Sequence, residues 1–182
     1  GSFQTREQYL SGNVRKKLEQ ARLAAENDPR FSRNATALEA VQPLPLGPSD
    51  IAANLGMPWL PSAVIEDFGK HLGLASIKVS YQPKLAQWTA RGDMSSAAAV
   101  STWGTSERSA PDLITDALNR QNPKIYKEIN TPDGRKRVLD AEATQAAQDK
   151  VNEIKQEFRD WIWNDEERTK ALVDLYNREY NS

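Results

Sequence analysis

The spacing of apolar residues changes twice along this chain, and that change limits the possible fold more than any other feature of the sequence. Near both ends, apolar residues recur every three or four positions, as on one face of an α-helix. In the middle, residues 77–81 and 87–91 alternate apolar with polar side chains, which is typical of half-buried strands. We therefore predict an α+β fold, mostly helical, with a small antiparallel sheet made of two hairpins and with long C-terminal helices.

The helical spacing is strongest in the C-terminal part, where Val151, Ile154, Phe158 and Trp161 form one apolar stripe. Proline and glycine divide the rest of the pattern into separate helices, and a proline-rich connector begins at Pro43. The predicted helices are 12–27, 30–41, a short one at 51–55, one from 61 to about 72, 110–118, a long one from residue 140, and a last one that carries Leu172, Leu175 and Tyr176.

Two hairpins are predicted between these helices. The first joins strands 77–81 and 87–91 across residues 82–86. The second joins strands 124–129 and 135–139 across the turn Thr131-Pro-Asp-Gly134, because Asp-Gly suits a tight hairpin turn. A further strand is predicted near residues 100–103.

The length and composition favour a single intracellular domain. The 182 residues suffice for one hydrophobic core, and the absence of cysteine removes disulfides, thiol nucleophiles and cysteine-based zinc sites. No stretch is long and apolar enough to span a membrane, so we expect a cytoplasmic protein. Gly1-Ser2 is typical of a cloning remnant, which suggests an accessory domain cut from a larger protein and divided into a helical part (3–74), a small sheet with a helix (75–139) and C-terminal helices (140–182).

The charge distribution permits contact with nucleic acid but does not require it. Residues 1–91 carry 11 Lys and Arg against 8 Asp and Glu, whereas residues 92–182 carry 13 against 17. Such small imbalances exclude a histone-like polyanion-binding protein and still allow a local basic face.

No complete active site can be assembled from the sequence. The only histidine, His71, is predicted near the end of a helix, and without a second His or a Cys a metal site is improbable. Neither GxxxxGK[ST] nor GxGxxG occurs, so nucleotide binding through these loops is not expected. We predict no catalytic residue, no metal site and no cofactor, although scattered carboxylates leave a magnesium site or an independent enzyme open as the weakest interpretation.

Two basic clusters are the candidate DNA-binding residues. The first lies on the predicted first helix and contains Arg15, Lys16, Lys17 and Arg22. The second, Arg135, Lys136 and Arg137, follows the turn of the second hairpin, where cations would project beyond the sheet and could bind phosphates without reading the base sequence. A solvated surface is the ordinary explanation for both clusters.

Two further patterns bear on binding. Residues 48–56 followed by a helix from Pro61 resemble the start of a helix-turn-helix, but the second helix would offer Glu66 and Asp67 to the DNA, so helix packing is favoured. Among five tryptophans, Trp161 and Trp163 flank Ile162 and cannot both face one core, which makes them a candidate protein-interaction surface.

The order of several segments resembles very large phage, plasmid and integrative-element proteins. The segments that carry the resemblance are Tyr9 to Leu18, Asp50 to Pro61, Trp103 to Thr105, Ala117 to Asn119, and Phe158 to Asp165 continuing to Tyr176-Asn177. Those proteins are similar to fusions of an adenine-specific DNA methylase with a superfamily 2 helicase, and some are associated with anti-restriction. The resemblance implies a segment leading into the helicase core. This chain has neither the methylase Asn-Pro-Pro-Tyr loop nor the helicase boxes, so no catalytic residue is transferred.

Two functions from different classes follow as hypotheses. In the first, the chain is a non-catalytic accessory domain that helps a DNA helicase or methylase engage DNA non-specifically. In the second, it is a structural or interaction module whose partners are the catalytic domains of the parent chain. Neither hypothesis involves a membrane.

Overall fold

The computed structural model describes residues 44–181, which belong to two compact units. One unit runs from Ala53 to Asp165, and the other joins the segment ending at Ala52 to the segment beginning at Glu166. The predicted helices at 12–27 and 30–41 lie outside the described residues.

The architecture is α+β, as predicted. In the larger unit, helix α1 (Ser62–His71) precedes strands β1 (Lys78–Gln82) and β2 (Gln87–Arg91), and helix α2 (Ala110–Leu118) follows them. Strands β3 (Tyr126–Thr131) and β4 (Gly134–Leu139) precede the 22-residue helix α3 (Ala141–Ile162). The other unit contains a 3-10 turn (Pro48–Asp50) and helix α4 (Glu166–Glu179). The strands form two separate antiparallel pairs, β1 with β2 and β3 with β4.

Helix α2 lies at the centre of the larger unit. Seven of its nine residues are buried, and it packs against β2, α3 and a short π-helical turn, Ala98–Thr102. Helix α1 packs against β1 and α3, where the ring of Phe68 meets the ring of Phe158 edge-on at a centroid distance of 5.0 Å. The core thus lies among the three helices and the inner face of the first hairpin.

The first hairpin has only two strands, and helix side chains satisfy its outer edges. The side-chain amide of Asn119 accepts a hydrogen bond from Trp88 N and donates one to Trp88 O, both at 2.8 Å. Thr115 Oγ1 accepts from Ala90 N at 3.0 Å, and on the opposite edge Glu66 Oε1 accepts from Val79 N at 2.9 Å. Because these groups replace missing neighbouring strands, a two-stranded sheet is stable inside this unit.

Two predicted elements are wrong. Residues 98–102 form a π-helical turn instead of a strand near 100–103, because Asp93 accepts from Ser96 N, Ser96 Oγ accepts from Ala99 N, and Ala99 is buried within the core. Residues 51–55 are not helical: the Asp50 carboxylate accepts from Gly47 N at 3.1 Å and closes a turn three residues earlier than predicted. The helix-turn-helix interpretation of residues 48–56 loses its first helix for the same reason.

In the smaller unit, Asn177 fixes the extended chain at Leu46 to helix α4. Its side chain accepts from Leu46 N at 2.8 Å and donates to Leu46 O at 3.0 Å. The Asn177 residue is buried, so these hydrogen bonds satisfy polar groups that would otherwise lack partners.

Candidate nucleic-acid interface

The second hairpin is far more exposed than the first. Ten of the twelve residues of β3 and β4 are exposed and the other two are half-buried. The strands pair from Tyr126 with Leu139 to Thr131 with Gly134, and the turn ends in Gly134 with a φ of 110°. The turn is confirmed at the predicted position, and its chemistry follows from glycine's access to positive φ.

Within residues 44–181, hydrogen bonds to other elements hold the hairpin at its base and not along its length. Thr144, in the first turn of α3, accepts from Ile125 N at 2.9 Å and donates to Ile125 O at 3.2 Å. The amide of Asp140 donates to the same carbonyl at 2.8 Å, and the Asp140 carboxylate caps α3 by accepting from Ala143 N. The rest of the ribbon therefore depends on its own cross-strand contacts.

The predicted cluster of Arg135, Lys136 and Arg137 lies on β4, with all three residues exposed. The guanidinium of Arg137 lies 4.0 Å from the ring centroid of Tyr126. The guanidinium of Arg135 lies 3.3 Å from Glu128 Oε2, with 76% and 64% of the two side chains exposed. Exposed contacts of this kind are weak, so both arginines remain available to a stronger anion.

Strand alternation places cations on both faces of the ribbon. Arg135 and Arg137 share one face with Glu128, whereas Lys136 shares the other with Lys127. From Tyr126 to Leu139 the hairpin carries four cations and two carboxylates. The hairpin is thus a locally basic element in a chain of net charge −1.

The other predicted basic cluster, Arg15, Lys16, Lys17 and Arg22, lies outside the described residues. The structure thus places Arg135, Lys136 and Arg137 together on strand β4, and the first cluster stays a prediction.

Trp161 does not offer the predicted apolar surface. Trp161 is only 6% exposed, with its ring packed against the rings of Phe68 and Phe158 at centroid distances of 5.3 and 6.0 Å. Trp163 is half-buried. The expectation of an interaction surface at Trp161 is wrong because α1 covers this part of the α3 stripe.

His71 lies at the end of a helix, as predicted. It ends α1, its Nε2 lies 2.9 Å from Glu157 Oε1 on α3, and its ring stacks on Trp161. In the part of the chain that the structure describes, no group of three or more His, Cys, Asp and Glu side chains is arranged to hold a metal ion. Across residues 44–181, no helix combines the length and the apolar character needed to cross a membrane.

One ion pair in the described chain is largely shielded from solvent. Arg108 donates from Nε and Nη2 to the two carboxylate oxygens of Asp116, at 2.6 and 2.9 Å. This hydrogen bonding and the charge of Asp116 raise the pKa of Arg108 above its ordinary value. The pair links the loop before α2 to α2 itself, which is a structural role.

Sequence reasoning missed a second basic region, a cleft of about 360 Å³ in the larger unit. Arg120, Lys155 and Arg159 line it, and its other four lining residues are uncharged. The only signal in the sequence was the spacing of Lys155 and Arg159, four residues apart on a helix. Nothing in the sequence joined Arg120 to them.

Comparison with known protein families matches residues 54–182 to a family described as Domain of unknown function (DUF8437). The chain belongs to this family. The DUF8437 segment begins near the start of the larger unit and contains both the basic hairpin and the cleft, whereas Arg15 to Arg22 precede it. Neither a curated protein nor a solved structure matches the chain significantly.

Proposed function

We propose that this chain is a non-catalytic accessory domain that engages nucleic acid non-specifically through the β3–β4 hairpin. The observation that carries the proposal is the exposure of three consecutive cations, Arg135 to Arg137, on a ribbon that the described part of the chain anchors at its base. Phosphate neutralisation by lysine and arginine supplies most of the affinity of non-specific binding.

The shape of the hairpin supports the same proposal. A two-stranded ribbon fits the major groove of B-form DNA, and cations on both of its faces can meet phosphates of both strands. Tyr126 adds an aromatic ring beside Arg137, so an unpaired base could stack there if single strands are bound.

The wider setting is also a proposal. The segments from Tyr9 to Asn177 that resemble methylase–helicase fusions would place this domain before the helicase core of a large cytoplasmic enzyme from a mobile element. In that setting the hairpin would hold DNA while other domains of the parent chain perform the chemistry.

The test is to replace Arg135, Lys136 and Arg137 by Ala together and to measure duplex binding by fluorescence anisotropy across a salt series. The slope of log K against log salt should fall by about one unit for each lost phosphate contact, whatever the DNA sequence. Because the three residues are exposed, each substitution should change the unfolding free energy by only about 0.5 kcal/mol.

A matched control removes two exposed cations elsewhere, with Lys170→Ala and Arg178→Ala on α4. That variant should keep the parent slope if binding is local to the hairpin. An unchanged slope in the hairpin variant, with an unchanged melting temperature, would refute the proposal.

A second candidate function, a protein-docking module, is favoured by a different observation on the same hairpin. Tyr126 and Leu139 are 43% and 47% exposed on one face of the hairpin, Ile129 is 40% exposed on the other, and a catalytic domain of the parent chain could cover either face. Replacing Ile129 by Thr separates the two functions, since it removes apolar surface without changing charge. DNA affinity should then be unaffected under the first proposal.

A further inference from the structure

The cleft beside α2 contains three cations that form no ion pair among residues 44–181. They are Arg120, just after α2, and Lys155 and Arg159, one turn apart on α3. Within residues 44–181, the only side-chain hydrogen bond made by the three runs from Arg159 Nη2 to Gln156 Oε1, at 2.8 Å, and Gln156 is neutral. Since the lining includes no carboxylate, the three charges repel one another and concentrate a positive potential in a concave space.

The backbone at Arg120 gives a second and independent observation. Helix α2 ends with Gln121 N donating to Asp116 O at 2.8 Å and Arg120 N donating to Ala117 O at 3.3 Å, which is a Schellman motif. This motif places Arg120 at a φ of 56°, in the left-handed region that disfavours residues with a Cβ.

The end of α1 shows how the same motif is built without strain. There Leu74 N donates to Gly69 O and Gly73 N donates to Lys70 O, and the left-handed residue is Gly73, with a φ of 94°. Glycine is the favoured residue at this position, so the arginine at the end of α2 adds backbone strain. Left-handed residues other than glycine cluster at active sites and ligand-binding sites, where the strained conformation is part of the function.

The helix dipole does not by itself account for this choice. A cation stabilises the C-terminal end of a helix from any position in the last turn, including positions with ordinary helical φ. At its left-handed position Arg120 lines the same cleft as Lys155 and Arg159.

We propose that this cleft binds a phosphate group through Arg120, Lys155 and Arg159. Guanidinium and ammonium groups form charge-assisted hydrogen bonds to phosphate oxygens, and arginine can do so through two parallel N–H donors. The volume of about 360 Å³ lies within the range of small-ligand sites and exceeds what a single phosphate fills. The cleft therefore has room for a phosphate carried on a larger group, either a free nucleotide or the backbone of a nucleic acid.

The experiment uses the full chain, labelled with ¹⁵N, at low ionic strength. Three probes are titrated separately: inorganic phosphate, adenosine 5′-monophosphate and a short single-stranded oligonucleotide. We expect the backbone amides of Arg120, Gln121 and Lys155 to shift with at least one probe. Saturation by adenosine 5′-monophosphate identifies a free nucleotide as the source, whereas a response to the oligonucleotide alone identifies backbone phosphate. If no probe shifts these amides, the proposal is overturned.

Two variants connect the shifts to the proposed residues. Arg120→Gly removes a cation and relieves the backbone strain, so it should keep or raise the melting temperature while weakening the affinity for the probe about tenfold. Lys155→Gln should weaken it by a similar factor without altering the turn. An unchanged affinity in both variants would overturn the assignment even if the amides shift.

Matched controls separate this site from the hairpin and from general charge effects. Lys170→Gln, an exposed lysine on α4, removes the same charge and should leave the affinity unchanged. Ala86→Gly, at the other non-glycine residue of positive φ in the described range 44–181 (φ 49°), relieves strain without removing a cation. The alanine variant of Arg135 to Arg137 should leave the phosphate affinity of the cleft unchanged, so the two proposals can fail separately.

Discussion

At the scale of single residues, polar side chains in this molecule act mainly by completing backbone hydrogen bonds. Asn119 and Asn177 each bracket one backbone residue of a distant segment, Trp88 and Leu46 respectively. Asparagine suits this role because its amide contains a donor and an acceptor side by side. Such side chains stabilise the fold because buried backbone groups would lack hydrogen-bond partners without them, which costs free energy.

The pair of Arg108 and Asp116 provides a stability prediction at this scale. Asp116→Asn keeps the shape but removes the charge opposite a guanidinium that is only 33% exposed. We expect a loss of about 1–3 kcal/mol in unfolding free energy, measured by urea denaturation at neutral pH.

The pKa of Arg108 fixes the sign of the pH dependence. The pKa of Arg108 is raised in the folded protein, mainly by the hydrogen bond to Asp116. The contribution of this ion pair to the unfolding free energy is therefore fully present at pH values below the ordinary pKa of arginine. It disappears only as pH rises through the higher folded value, so it should be constant from neutral to mildly alkaline pH. Replacing both residues, with Arg108→Met and Asp116→Leu, should cost less than Asp116→Asn, and a larger cost would contradict the explanation.

At the scale of elements, the two hairpins have similar strands and opposite environments. The first, β1–β2, buries Val79, Trp88 and Ala90 against helices and has polar groups of α1 and α2 along its edges. The second, β3–β4, contains no buried residue and leaves both faces to solvent. A structural role follows for the first and a binding role is proposed for the second.

The edge contact between Asn119 and β2 makes a prediction about the first hairpin. Asn119→Ala leaves Trp88 N and O without partners beside a buried ring, so we expect a loss of about 1–3 kcal/mol in unfolding free energy. Thermal and urea unfolding followed by circular dichroism would measure it. Asn122→Ala, an exposed asparagine in the loop after α2, is the control and should change stability by less than about 0.5 kcal/mol.

At the scale of the whole molecule, stability should be unevenly distributed through the larger unit. Helix α2 is buried against strands and helices on several sides, whereas β3 and β4 rely on their own pairing beyond the base. Local opening is easiest where little apolar surface is buried.

Amide hydrogen exchange would measure this distribution. Amides of α2 from Ile114 to Leu118 should exchange slowest, close to the rate of global unfolding, and those of Lys127 to Asn130 should exchange much faster. Protection of the hairpin equal to that of α2 would indicate that something covers it, and would favour the docking function over nucleic-acid contact.

Much of the fold could be predicted from local sequence patterns. Strand β2 and helix α2 have the predicted bounds, the Asp133-Gly134 turn forms where expected, and α3 carries the predicted apolar stripe. Hydrophobic periodicity and turn chemistry act within a few residues of each other, so the sequence alone determines them. The exposure of Arg135 to Arg137 followed from the same local reasoning.

Only the tertiary structure decided which surfaces face solvent and which distant residues meet. Trp161 is buried because α1 packs over α3. Residues 98–102 form a π-helical turn, with Ala99 buried, where this turn packs against α2. Arg120 lies beside Lys155 and Arg159 because α2 ends against α3, 35 residues away along the chain. Contacts of this kind depend on the packing of several elements at once, and no local pattern in a single sequence encodes them.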